Sequence, residues 1–316
     1  MIGIIIWQAL WAASIPISKL LLSYSPPVFL AGIRMASAGV LLLGYHYIIK
    51  RDKILLPRAE WLFYLQVIFF GIYIKYVLRY IGLSGMPSTK LAFMLNLTPF
   101  CVAFCSYIAF REILLRRQWI GLMIGFFGFL PLLMIHNTGN YFIGWADCAV
   151  IAEIIAHSYS VVLLRKLVRE KKHSPSMTNG IRMFGGGMLA LLTSTYTEST
   201  SSVHHLSYFC IWLAVLVVLS NIICHNWHLH LLKKYSATFL TFSDFLGPLF
   251  VSLYGWILFR ETITWHYGIS AVFVVAGLYL FYYDELRQSK KKKFVVAKIA
   301  KEDMVIPEKK PPQKEA

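Results

Sequence analysis

Charged side chains are scarce in this chain. They make up 15% of its 316 residues, whereas a soluble domain carries about 25%. Acidic residues are the rarer kind, with 15 Asp and Glu against 31 Lys and Arg, so the net charge is +16. Hydrophobic residues reach 58%. This composition argues against a water-soluble globular enzyme.

Several chemical motifs are also missing from the sequence. Its five cysteines form no Cys-x-x-Cys pair, which disfavours a disulfide framework and a thiolate metal site. No glycine-rich phosphate loop is present, which disfavours ATP-driven pumping. Neither a nucleophile–base cluster nor a set of histidine boxes occurs, and a membrane-embedded enzyme would need one of them. We therefore predict no enzymatic activity, no cofactor and no metal site.

Long apolar runs dominate what is present. A helix that crosses a bilayer needs about 20 mostly apolar residues. Ten runs meet that length, at roughly 3–22, 27–49, 61–82, 87–110, 117–136, 143–164, 178–197, 207–232, 236–259 and 265–283. The sequence therefore predicts an all-α integral membrane protein with ten transmembrane helices.

Lys and Arg alternate between the predicted loops. The loops at 50–60, 111–118, 165–177 and 233–235, together with the segment from Arg287, hold 24 of them, whereas the intervening loops hold only Arg260. Basic residues collect on the cytoplasmic side of a membrane protein, so we predict that both termini are cytoplasmic. The charged segment 287–316 is predicted to be a disordered tail that attracts anionic lipid. Nucleic-acid binding is disfavoured, because no basic face is interleaved with exposed aromatics.

An internal repeat divides the chain. Residues 87–112 match 236–261 at a constant offset of 149, and Pro27 and Arg34 match Pro175 and Arg182 at an offset of 148. Identical pairs within the longer match are Thr89/Thr238, Leu91/Leu240, Phe93/Phe242, Pro99/Pro248, Val102/Val251, Ile108/Ile257, Phe110/Phe259, Arg111/Arg260 and Glu112/Glu261. Each half holds five spans, and duplication of an odd number inverts the second copy in the membrane. We predict two inverted five-helix repeats, 1–136 and 137–286, as in many secondary transporters.

These features resemble the EamA family of the drug/metabolite transporter superfamily. Each repeat has a proline in its fourth helix and an Arg-Glu pair that closes it. Trp119-Ile120-Gly121 with Gly125 and Gly128 resembles the fifth-helix pattern of the family, as do Trp265, Gly268 and Gly277. The resemblance implies ten helices, alternating access and transport of small metabolites across the inner membrane. Length, aromatic content and the basic tail are also similar to the S-adenosylmethionine transporters of intracellular bacteria within that family.

Two acidic residues lie deep in predicted spans. At about 1.5 Å rise per residue, Glu153 lies about 13 Å into its span and Asp244 about 12 Å into its own, near the bilayer centre. Asn96 and Asn221 lie at a similar depth. Polar and ionisable groups in membranes are usually functional, so all four are predicted to bind substrate; for the two carboxylates, neutralisation by a neighbouring Lys or Arg is the alternative. Glu153 and His157 share a helix face and are a candidate proton relay; a plain hydrogen-bonded pair is the alternative.

Basic residues within the spans are candidates for binding a substrate carboxylate or phosphate. Lys75 and Arg79 lie four residues apart on one face, and Lys19 lies towards the external side together with Arg34 and Lys90. Snorkelling to the interface is the alternative for the shallower groups. Arg182 lies close to the cytoplasmic face and is predicted to be an anchor.

Aromatic residues and prolines complete the candidate site. Trp7, Trp11 and Tyr76 are predicted to stack on an apolar or purine part of a substrate, although interfacial anchoring is an alternative for the tryptophans. The prolines inside spans are candidate hinges, with static kinks as the alternative; they are Pro16, Pro99 and Pro248.

The sequence thus predicts a secondary transporter or exchanger of a small zwitterionic or cationic metabolite. S-adenosylmethionine, exchanged for S-adenosylhomocysteine, fits the mixture of acidic, basic and aromatic groups. Several amino acids fit as well, so a proton-coupled exporter of amino acids, drugs or metabolites is the alternative. An integral-membrane enzyme and a channel are more distant alternatives. The sequence leaves the oligomeric state open.

Overall fold

A computed structural model describes residues 2–51, 60–86, 88–111, 113–128, 144–171, 173–198, 205–259, 265, 268–269, 271–281 and 283. These residues form helices and connections, without a strand. The first half contains α1 (Ile2–Leu21), α2 (Pro27–Gly44, continued by a π-helical turn, Tyr45–Ile49), α3 (Trp61–Ile68, a π-helical segment Phe69–Ile74, and Lys75–Ser84), α4 (Ser88–Met94, a 3₁₀ turn Leu95–Leu97, and Thr98–Phe110) and α5 (Arg116–Phe127).

The second half has a similar order of helices. It contains α6 (Trp145–Arg165, continued by Lys166–Glu170), α7 (Pro175–Thr197), α8 (Leu206–Leu216, a π-helical segment Val217–Cys224, and His225–Lys234), α9 (Ala237–Phe242, a 3₁₀ turn Ser243–Leu246, and Gly247–Phe259) and α10 (Ala271–Phe281).

Local sequence explains where several helices begin. Pro27 and Pro175 occupy the first helical position of α2 and α7, where the missing N–H costs nothing and the fixed φ suits a helix. The hydroxyl of Ser236 accepts a hydrogen bond from the backbone N–H of Phe239 and caps the start of α9. Prolines and caps of this kind fix the start of a helix independently of the surrounding lipid.

Seven of the described helices are long and apolar enough to cross a membrane, namely α1, α2, α3, α4, α6, α8 and α9. The protein is therefore an all-helical, multi-pass membrane protein. The predicted span 178–197 coincides with α7, whose 23 residues include many Ser, Thr and Gly. The predicted spans 117–136 and 265–283 coincide in part with α5 and α10; residues 129–143 and the tail 287–316 lie outside the described part of the chain.

The helix pair α2 and α7 forms the most extensive packing between helices. Glycines allow it. A Cβ atom on Gly39 would lie 2.3 Å from the backbone nitrogen of Phe184, and one on Gly187 would lie 2.3 Å from the backbone nitrogen of Ala36. Small residues let helix backbones approach this closely in lipid. The two contacts are related to each other by the 148-residue offset of the sequence repeat.

Helices α4 and α9 are interrupted at equivalent places. Each narrows to a 3₁₀ turn, Leu95–Leu97 in α4 and Ser243–Leu246 in α9, and the two turns pack against each other. Pro99 and Pro248 are the second residues of the helical segments that follow. A proline cannot donate the helical hydrogen bond at its position, which accounts for a break just before it. The breaks place side chains of α4 and α9 next to an internal cavity.

Candidate functional site

A cavity lined by charged, polar and aromatic side chains lies between the helices, with about 740 Å³ of space between its lining atoms, including space open to solvent. Helices from both halves of the chain line it. The chemically important residues are Trp7, Gln8 and Trp11 of α1, Lys75 and Arg79 of α3, His157 of α6, Arg182 of α7, His225 and His228 of α8, and Thr241, Asp244 and Pro248 of α9.

The two predicted acidic residues have different roles in this site. Asp244 lies in the 3₁₀ turn of α9 and faces the cavity; its Oδ1 accepts a hydrogen bond of 2.5 Å from Gln8 Nε2. Among the described residues no cation lies within ion-pair distance of Asp244. Glu153 is fully buried and is not among the residues that line the cavity; its Oε1 pairs with Arg79 Nη2 at 2.6 Å. Asp244 therefore offers an unpaired carboxylate, and Glu153 neutralises a cavity arginine.

Two cavity cations lack an acidic partner in the described part of the chain. Lys75 Nζ donates to His157 Nε2 over 3.3 Å, and Arg182 Nε donates to Asn179 Oδ1 over 2.8 Å. Both side chains are 97% buried. A buried charge without a counter-charge is costly, so a ligand group of opposite sign would stabilise this arrangement.

Aromatic rings form one wall of the cavity. Trp7 stacks on His228 with ring centres 5.3 Å apart, and Trp11 lies 4.6 Å from His225. Trp7 is held in place by a hydrogen bond of 2.9 Å from its Nε1 to the carbonyl of Cys224. Flat π surfaces of this kind bind a planar base by stacking or a cation against the ring face.

Tyr76 and His225 join the two halves behind that wall. The Nδ1 of His225 donates to the carbonyl of Ser220 over 2.8 Å, which leaves Nε2 of the neutral ring to accept from the Tyr76 hydroxyl over 2.7 Å. The two residues are separated by 149 positions, the offset of the longer sequence match. The Nζ of Lys75 also lies 5.2 Å from the ring centre of Tyr76.

A smaller side pocket adjoins the main cavity through Trp11, Ile15 and Arg79. Arg34 lines it and is 3% exposed, so it does not snorkel to the interface. Its guanidinium donates to Asn221 Oδ1, the Tyr80 hydroxyl and the Ser220 hydroxyl, at 2.6–2.8 Å. Asn221 therefore supports Arg34 and is not among the residues that line the main cavity.

Lys19 and Asn96 lie outside the lining of the main cavity. Lys19 Nζ donates to the backbone carbonyls of Leu83 and Met86, at 2.5 and 2.9 Å, and so ties α1 to the end of α3. Asn96 is fully buried in the 3₁₀ turn of α4, and neither polar atom of its amide has a hydrogen-bond partner among the described residues. Of the candidate hinges, Pro248 lines the cavity, Pro99 follows the break in α4, and Pro16 lies inside α1.

The structure corrects two sequence interpretations. Arg182 was predicted to be an anchor, but it is buried and lines the cavity. Glu153 and His157 do not bond to each other within the described contacts; Glu153 pairs with Arg79, and His157 accepts from Lys75. Gln8, His225 and His228 were not among the predicted site residues. Helical spacing from Trp11 could have indicated Gln8, since the two residues lie three apart.

Three histidines line the cavity, and the described residues contain no group of three or more His, Cys, Asp or Glu placed to hold an ion. The charged, polar and aromatic side chains of the lining can recognise a ligand by charge, hydrogen bonding and stacking.

A bundle of apolar helices around a buried, charged and aromatic cavity defines a membrane carrier of small molecules. Comparison with known proteins agrees with this class. The EamA-like transporter family matches residues 1–134 and 144–283, and the chain belongs to that family.

Two relatives and one solved structure are similar over most of the chain. The S-adenosylmethionine/S-adenosylhomocysteine transporter of Chlamydia trachomatis serovar D is 34% identical over 288 residues, covering 88% of each protein. The transporter of the same description from Chlamydia muridarum is 33% identical, covering 88% of this chain and 90% of the relative. One crystal structure superposes with a TM-score of 0.72 at 15% identity, covering 90% of this chain and 97% of the other, which supports the fold alone.

Proposed function

We propose that this protein exchanges S-adenosylmethionine for S-adenosylhomocysteine across the bacterial inner membrane by alternating access. The observation that carries the proposal is the presence, in one cavity, of a carboxylate and two cations that have no ion-pair partner among the described residues, together with stacked aromatic rings. The two chlamydial relatives bear the name of this activity and support the same substrate pair.

The cavity complements the methionine end of the substrate. An α-amino acid group carries a carboxylate and an ammonium, and the site offers Arg182 for the first and Asp244 for the second. Charge-assisted hydrogen bonds to such groups are worth about 1.5–3 kcal/mol each. Gln8 holds Asp244 at 2.5 Å and so fixes the carboxylate relative to α1.

The aromatic wall suits the remaining parts of the molecule. Adenine is a planar base that stacks on indole, and a sulfonium is a cation that lies favourably against a ring face. Trp7 and Trp11 provide both surfaces within 5.8 Å of each other. An ordinary amino acid would leave this wall uncovered, which favours the nucleoside-containing substrate over a proton-coupled amino-acid exporter.

Alternating access would use two inverted five-helix repeats, residues 1–136 and 137–286. The mirrored glycine contacts of α2 and α7, the equivalent 3₁₀ breaks of α4 and α9, and the Tyr76–His225 contact support this arrangement. In carriers of this architecture one repeat rocks against the other around a fixed central site. Pro99 and Pro248 would act as hinges, and the basic tail 287–316 would lie against anionic lipid on the cytoplasmic side, together with both termini.

Exchange in reconstituted vesicles tests the proposal. Vesicles loaded with S-adenosylhomocysteine should take up labelled S-adenosylmethionine, and empty vesicles should take up far less. Loss of one charged contact in Asp244→Asn or Arg182→Gln should weaken binding by about 10- to 100-fold. Glu170→Gln, a carboxylate exposed at the end of α6, is the matched control and should behave like the parent protein.

A substrate analogue assigns the carboxylate contact. The parent protein should prefer S-adenosylmethionine over its decarboxylated analogue, and Arg182→Gln should lose most of that preference. No exchange of either nucleoside, or unchanged transport by Asp244→Asn, would count against the proposal. Counterflow of amino acids instead would favour the amino-acid exporter.

A further inference from the structure

Lys75 has an unusual environment in the cavity. It is 97% buried, its Nζ lies 3.3 Å from His157 Nε2, and the ring centres of Trp11 and Tyr76 lie 5.8 and 5.2 Å away. No carboxylate among the described residues lies within ion-pair distance of it. Lys75 is thus a cation held by a neutral acceptor and two π faces.

Charged and titratable groups approach Lys75 from α3, α6, α7, α8 and α9, whereas α1 contributes Gln8 and the tryptophans and α4 contributes Ala92, Leu95 and Thr98 to the cavity. These groups are Tyr76 and Arg79 of its own helix, Glu153 and His157 of α6, Arg182 of α7, His225 and His228 of α8, and Asp244 of α9. Arginine keeps its proton in proteins, whereas a buried lysine gives its proton up readily. Among the cations that line the cavity, Lys75 is therefore the one whose charge can change during transport.

The two proposed substrates differ by one charge. S-adenosylmethionine carries a sulfonium, an ammonium and a carboxylate, so its net charge is positive. S-adenosylhomocysteine has a neutral thioether in place of the sulfonium and is net neutral. The sulfonium therefore adds a positive charge to a confined space in which Lys75 and Arg182 have no acidic partner among the described residues, and like charges repel strongly where water is excluded.

Resting on the proposed function, we propose that Lys75 is the charge-compensating residue of the exchange. It gives its proton to the external solution when S-adenosylmethionine binds, and it takes a proton from the cytoplasm when S-adenosylhomocysteine binds. Each cycle then moves one S-adenosylmethionine cation inwards and one S-adenosylhomocysteine plus one proton outwards. The cavity carries the same charge in both loaded forms, so the exchange is electroneutral.

Vesicles with an imposed potassium diffusion potential and a trapped pH dye test this inference. In the parent protein the rate of exchange should not depend on the potential, and protons should move with S-adenosylhomocysteine in equal numbers. Potential-dependent exchange without proton movement would overturn the inference while leaving the proposed function intact. Absence of exchange under all conditions would instead refute the proposed function.

Two variants fix the charge at position 75. Lys75→Met should abolish the coupled proton movement and make the exchange that remains dependent on potential. Lys75→Arg keeps a permanent cation. In competition against uptake of the labelled substrate, it should weaken the binding of S-adenosylmethionine more than that of S-adenosylhomocysteine. Lys234→Met is the control, because Lys234 is exposed at the end of α8 and does not line the cavity. The inference would be overturned if either Lys75 variant moved as many protons per exchange as the parent protein. If Lys75→Met does not fold, the measurements on the parent protein test the inference on their own.

Discussion

Breaking the buried ion pair between Arg79 and Glu153 should destabilise the protein strongly. The two side chains are 11% and 0% exposed, and their charged atoms lie 2.6 Å apart. Glu153→Gln keeps the shape and an acceptor but leaves the guanidinium without a counter-charge. Removal of one partner of such a pair costs about 3–5 kcal/mol, mostly because the remaining charge stays buried.

A double-mutant cycle isolates this effect. Thermal and denaturant unfolding of the purified protein in detergent would compare Glu153→Gln, Arg79→Gln and the double variant. The double variant should lose less stability than the sum of the single losses, with a coupling of about 0.5–3 kcal/mol, because no lone charge remains. Glu170→Gln on the surface should change stability by no more than about 0.5 kcal/mol. Strict additivity of the two single changes would refute the electrostatic explanation.

Three further predictions concern packing, pH and helix capping. Gly39→Ala and Gly187→Ala should each lower the free energy of unfolding by about 1–3 kcal/mol, because the new methyl group meets a backbone nitrogen. Gly44 has open space around it, so Gly44→Ala should be tolerated. Equal effects at all three glycines would contradict the close packing of α2 and α7. The hydrogen bond from Lys171 holds the pKa of the Glu60 carboxyl below its ordinary value. The ion pair of Glu60 therefore stabilises the protein above the unfolded-state pKa of about 4.3, and this stabilisation is lost as pH falls through the lower folded-state pKa. The melting temperatures of the parent protein and of Glu60→Gln should therefore converge in acid. A difference in melting temperature that stays constant with pH would exclude the ion pair as its cause. The carboxylate of Glu198 accepts two hydrogen bonds of 2.7 Å from the first turn of α2, so Glu198→Ala should cost about 1–2 kcal/mol, and unchanged unfolding would show that the cap is dispensable.

Several residues of the cavity lining could be predicted from their depth in a span and their spacing along a helix. Counting residues along a helix of known rise placed Asp244 near the bilayer centre, and the four-residue spacing placed Lys75 and Arg79 on one face. Trp7 and Trp11 followed from the same spacing, and all of these residues line the cavity. Partners were not predictable in this way. Neither the pairing of Glu153 with Arg79 nor the entry of Arg182 into the cavity follows from position along a helix.

By itself, the sequence determined the apolar membrane-spanning runs and the internal repeat, because run length and self-similarity are read along the chain without knowledge of which segments meet in space. Only the tertiary structure decided which charges neutralise each other and which remain open to a ligand. Those outcomes depend on how α1, α3, α6, α7 and α9 pack against one another, which is set by contacts between residues far apart in the chain, such as Arg79 and Glu153 or Gln8 and Asp244. Asp244 faces the cavity and Glu153 pairs with Arg79 for this reason, although one argument from depth had predicted both as substrate-binding residues.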